Sequence, residues 1–101
     1  MKFSVKKPRE NILNLARKLG YMPKKTTGKD FSFVRPLLGR EYPRFHLYIK
    51  EGTERNTLLF NIHLDQKKPS YSGTPAHSGE YEGGVVEKEA ERIKKIILDF
   101  V

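Results

Sequence analysis

The chain has 101 residues, 20 Lys and Arg against 12 Asp and Glu, a net charge of +8, and no Cys. That length suits a single domain over residues 1–101 with one modest core. The lack of Cys excludes disulfides and thiolate metal sites and fits a reducing, cytoplasmic setting.

Met1–Pro8 holds no apolar run of signal-peptide length, and no segment approaches the roughly 20 apolar residues that span a bilayer. No membrane partner is therefore expected. The charge is uneven: residues 1–56 carry 14 Lys and Arg against 5 Asp and Glu, and residues 57–101 carry 6 against 7. A surplus confined to one half points to a basic surface that a phosphate backbone would use. The competing reading is a charge that only keeps the chain soluble.

In chain order, Met1–Lys7 alternates weakly through Phe3 and Val5, as a short edge strand or an arm. Pro8 suits the first turn of a helix. Ile12, Leu15, Ala16 and Leu19 form its apolar stripe, Arg17 and Lys18 complement the dipole in its last turn, and Gly20 and Pro23 end it. Lys24–Asp30 reads as a loop. Phe31–Arg35 reads as a short strand, with Pro36 ending it or marking an edge. Leu37–Pro43 is a second loop.

Arg44–Lys50 and Thr57–Asp65 are the clearest strands. Phe45, Leu47 and Ile49 alternate with His46, Tyr48 and Lys50; Leu58, Phe60, Ile62 and Leu64 alternate with Leu59, Asn61, His63 and Asp65. The hairpin loop is Glu51–Asn56, and matching the apolar faces pairs Ile49 with Leu58 and Phe45 with Ile62. Residues 66–84, rich in Gly, Ser and Pro, read as one long flexible loop within the domain. Val85–Phe100 carries a second helical stripe through Val86, Ala90, Ile93, Ile97 and Phe100.

The expected fold is α+β: a three- to four-stranded antiparallel sheet with two helices on one face, in (β)-α-β-β-β-α order. The other sheet face is left for solvent or a partner. On it, the inferred register sets His46 opposite Asn61 and diagonal to His63, with Arg44, Tyr48 and Asp65 nearby. Two imidazoles near neutral pH can serve as general base and general acid, so His46 and His63 are the catalytic candidates. The simpler reading is that solvent-facing strand positions are polar by default.

His63 and Asp65, taken with His77 and Glu80, match no specific metal spacing, so no metal is expected. His77, Glu80 and Tyr81 are candidates within the long loop, where they either contact a ligand or set the loop's geometry. Lys67, Lys68, Tyr71 and Tyr81 combine charge with aromatic faces, a composition that suits single-stranded nucleic acid. No nucleotide-loop motif occurs, and no cofactor is expected.

Three stretches carry a likeness to known proteins. Ile12–Tyr21 ends in a Leu-Gly-aromatic step; Gly28–Pro36 leads into the first central strand; His77-x-x-Glu80 and the glycines before Val85 precede the last helix. Together they resemble the HicA-type (YcfA-like) toxin family, which has the double-stranded-RNA-binding-domain fold. The resemblance implies a metal-independent ribonuclease held by an antitoxin-like protein partner. The position matching that family's catalytic His is Asp30 here, or Lys29 if the alignment shifts by one. At the level of topology alone, the order also resembles a ribosome-associated hibernation factor, with Met1–Lys7 as first strand.

The sequence therefore reads as a small basic RNA-binding or RNA-processing domain. Lys24, Lys25, Lys29, Arg35, Arg40, Arg44, Tyr48, Lys67 and Lys68 are the expected nucleic-acid contacts. The alternative is a non-enzymatic interaction module such as an inhibitor, an antitoxin partner or a ribosome-associated factor, which would use the open sheet face or an edge strand.

Overall fold

A computed structural model describes residues 1–24, 31–66, 79–80 and 83–100. Its elements run β1 (Lys2–Lys6), α1 (Ile12–Lys18), β2 (Met22–Pro23), β3 (Phe31–Pro36), β4 (Arg44–Glu51), β5 (Thr57–Asp65), β6 (Gly79–Glu80) and α2 (Gly84–Leu98). The strands form one open antiparallel sheet in the order β1-β5-β4-β3-β2, and β6 pairs with β5 beyond the end of β1. Among the described residues, no helix is long and apolar enough to cross a membrane.

Strand alternation decides the two faces of the sheet. Phe33, Phe45, Leu47, Ile49, Leu58, Phe60, Ile62 and Leu64 share one buried cluster with Leu15, Leu19, Val86, Ile93 and Ile97 from the two helices. Both helices thus lie against the same face, because each has a single apolar stripe and that face alone is apolar. Removing side chains such as Phe60, fully buried here, from water contributes about 1.5–3 kcal/mol each.

Several boundaries differ from the sequence reading. Helix α1 starts at Ile12 and not at Pro8, because the Asn11 side chain caps it by accepting the Asn14 N–H at 2.8 Å. Within Met1–Lys7, Lys2–Lys6 is a true strand, with Phe3 opposite Phe60 and Val5 opposite Leu58. Strand β3 runs through Pro36, which pairs with Arg44. Met22–Pro23, between the expected helix end and the Lys24–Asp30 loop, is the edge strand β2, and Gly79–Glu80 within the expected 66–84 loop is β6.

The hairpin register is shifted by two residues. Ile49 pairs with Phe60 and Phe45 with Leu64, which keeps each side chain on its expected face but changes every partner. The turn explains the shift. Asn56 adopts φ 58°, a left-handed conformation that Asn tolerates, and Thr57 Oγ1 donates to the Glu54 carbonyl. The chain reverses within a shorter loop, and pairing continues to a Gly52 N–H···O=C Thr57 bond of 2.9 Å.

A polar clasp ties the helices to the sheet edge. Glu89, 5% exposed on α2, accepts from Tyr21 Oη at 2.6 Å and from Arg92 at 2.7 and 2.8 Å. Arg35 adds a longer contact of 3.4 Å, and Arg92 also donates to the Leu19 carbonyl at the end of α1. Burial, followed by the Glu89 carboxylate, pushes the Tyr21 phenol far above its usual range, so Tyr21 stays protonated and donates to Glu89.

Candidate functional site

The sheet face away from the helices gathers the polar residues of β3, β4 and β5. Cross-strand pairing sets Arg44 opposite Asp65, His46 opposite His63 and Tyr48 opposite Asn61. The two-residue shift thus places the imidazoles face to face, where the sequence register had them diagonal. Their ring centroids are 4.9 Å apart, and the Tyr48 ring lies 4.4 Å from His46.

Asp65 joins the two rings. Its Oδ1 lies 2.9 Å from His63 Nε2 and its Oδ2 lies 3.5 Å from His46 Nδ1. Burial alone would raise this carboxyl, but hydrogen bonds from His46 and His63 outweigh it and hold the group well below the usual carboxylate range. Asp65 is therefore an anion at neutral pH, and it draws the proton of His46 to Nδ1. That leaves Nε2 to accept from the Ser32 hydroxyl at 2.6 Å.

Both histidines are buried, His46 at 4% and His63 at 9% exposure. The face away from the helices is thus not bare at this point, contrary to the expectation from strand patterning. Desolvation lowers the His46 pKa, and Lys24 and His63 add to the effect against the opposing pull of Asp65. His46 is accordingly neutral at physiological pH and has a lone pair fixed in direction. Ser32, the second residue of β3, is buried, which suits it to positioning the ring.

The expected phosphate contacts divide sharply. Lys24 and Arg40 are exposed, and Lys24 borders the site closely enough to act on His46. Tyr48 is exposed as well. Arg44 is not a surface contact: its side chain is largely buried, stacked at 4.4 Å on Tyr42, with Nε 3.7 Å from Asp65 and without a hydrogen bond among the described residues. Arg35 is engaged by Glu89. Lys25, Lys29, Lys67, Lys68, His77 and Tyr81 lie outside the described residues, as does the side chain of Glu80.

Beside the histidine pair runs a cleft of about 210 Å³, lined by Lys2, Phe31, Tyr48, Lys50, Leu59 and Asn61. It joins two cations and two aromatic rings, and Tyr48 connects it to His46. Ser32, Lys2 and Lys50 were absent from the sequence-derived site. Ser32 alternates with Phe31 and Phe33, which puts it on the polar face, but only the β3–β4 register brings it to His46.

No protein-family model, curated protein or solved structure matches this chain.

Proposed function

We propose that this protein is a small basic RNA-binding domain that processes RNA at the His46–His63–Asp65 cluster. The observation that carries this reading is the pairing of two imidazoles through one ionised carboxylate, beside a cleft that combines Lys2 and Lys50 with Phe31 and Tyr48. Lysines suit a phosphate backbone, and aromatic faces suit unstacked bases. His63 brings a second imidazole to the same carboxylate, and Arg44 supplies positive charge next to it. The α1-β3-β4-β5-α2 succession and the HicA-type resemblance support the same substrate class by analogy.

The test is a salt titration of RNA binding followed by a cleavage assay. Affinity should fall steeply between low and moderate salt, and cleavage should vanish in His46→Ala and His63→Ala. Absence of RNA binding at low salt overturns the proposal.

The burial of both imidazoles favours a second reading, a non-enzymatic module in which the cluster stabilises the sheet and RNA or a protein partner docks on the cleft. Salt-sensitive RNA binding without cleavage is the outcome that selects it.

A further inference from the structure

We infer that His46, His63 and Asp65 form a three-ligand site for a divalent transition ion of the zinc class. His46 on β4 faces His63 on β5, and Asp65 follows His63 by two residues, on the same face of the same strand. One ligand atom from each lies within 4.8 Å of the others. An ion bound at about 2.0–2.2 Å in tetrahedral geometry holds its ligand atoms about 3.3–3.6 Å apart. His46 Nδ1 lies 3.5 Å from Asp65 Oδ2 and His63 Nε2 lies 2.9 Å from Asp65 Oδ1, so a small turn of the carboxylate has to bring one oxygen within range of both nitrogens.

A second observation comes from the other nitrogen of His46. A ligating imidazole almost always donates its remaining N–H to an oxygen that fixes the ring. Ser32 Oγ stands 2.6 Å from Nε2, so Nδ1 is the nitrogen left facing His63 and Asp65. On binding, the proton on Nδ1 would be displaced, and Nε2–H would donate to Ser32. Strand pairing holds all three ligand backbones in register without the ion, so the set is largely preorganised.

Two imidazoles and one carboxylate suit Zn²⁺ and its neighbours and not Mg²⁺ or Ca²⁺, which take oxygen ligands. Among the described residues the set has three protein ligands, which leaves one position of a tetrahedral ion for a further group, the pattern of reactive sites. Arg44, with Nε 3.7 Å from Asp65, opposes the ion's charge, so binding should be weaker than at a closed four-ligand site; it also favours an anionic group in the open position. The site stands on geometry alone, and its use in phosphodiester chemistry rests on the RNA-processing reading.

The experiment titrates Zn²⁺ into chelator-treated, tag-free full chain by calorimetry, with Co²⁺ as a visible-absorption probe and without RNA present. One ion per chain is expected, with Co²⁺ absorption of a low-coordinate nitrogen–oxygen site. His46→Ala, His63→Ala and Asp65→Asn should each weaken binding at least ~100-fold, and Ser32→Ala about tenfold. Zn²⁺ should also raise the melting temperature of the unsubstituted chain, a readout that survives if a variant fails to fold. No stoichiometric binding, or binding unmoved by the three ligand substitutions, overturns the site. RNA cleavage that persists in excess chelator, in a chain that binds no Zn²⁺, overturns it while leaving the RNA reading intact; Zn²⁺ binding in a chain that ignores RNA does the reverse.

Discussion

Ser32 and His46 meet at 2.6 Å from neighbouring strands, and this contact, with Asp65 at the opposite nitrogen, sets the direction of the His46 lone pair. In Ser32→Ala the neutral ring loses a donor at Nε2, and a hydrogen bond to the neutral form lowers a pKa. The His46 pKa should therefore rise from its depressed position, as followed by NMR titration of the ring protons. The fold should be retained, because the substitution keeps the strand and removes only the hydroxyl.

Acid should weaken the protein in two stages. The His46 pKa is lowered from 6.5 and that of Asp65 from 3.8. In each case the unfolded chain takes up protons first as pH falls, so stability is fully present above the unfolded value and is lost as pH drops through the folded one. Urea unfolding across pH should show one decline beginning near 6.5 and another beginning near 3.8. His46→Asn should remove the first and Asp65→Asn the second.

The basic residues should separate into two groups. Lys24→Ala and Arg40→Ala, at exposed positions, should weaken RNA binding and each reduce the salt slope by about 1. Arg44→Ala and Arg35→Ala remove partners of Asp65 and Glu89, so their main effect should be a lower midpoint of urea unfolding. Fluorescence anisotropy at several salt concentrations, run beside denaturation curves, distinguishes the groups.

Glu89→Ala should be among the most damaging single changes. It leaves the buried Tyr21 hydroxyl and part of the Arg92 fork without an acceptor. Breaking a buried pair on one side costs roughly 2–4 kcal/mol here, after allowing for the partial exposure of both arginines. Chemical denaturation measures the loss, and Glu89→Gln, which keeps an acceptor oxygen, should recover part of it.

The hairpin turn offers a local test of register. A Cβ at Gly52 would strike Thr57 Oγ1, the hydroxyl that donates to Glu54. Gly52→Ala should cost about 1–3 kcal/mol through this overlap. Asn56→Gly should be tolerated, since Gly adopts positive φ freely, whereas Asn56→Val should destabilise by about 1–2 kcal/mol. Thermal melts of the three variants check the order.

Alternation in β4 and β5 and the stripes of α1 and α2 were legible in the chain itself, because side-chain period follows from backbone geometry and needs no knowledge of partners. That was enough to place His46, His63, Arg44, Tyr48 and Asp65 on one face and the helices on the other. It was not enough to say which residues touch. Sliding β5 by two positions against β4 leaves every side chain on its face, so patterning is blind to it, and the choice fell to Asn56, Gly52 and Thr57 in the turn. The same blindness hid the clasp of Glu89 with Tyr21 and Arg92, whose members are 68 and 3 residues apart, and it made Arg35, engaged by Glu89, and Arg44, held beside Asp65, look like free surface charges. Local periodicity determines what faces the core; the long-range register, which costs loop entropy and is set by turn geometry and packing, decides that Ser32, His46, His63 and Asp65 become one site.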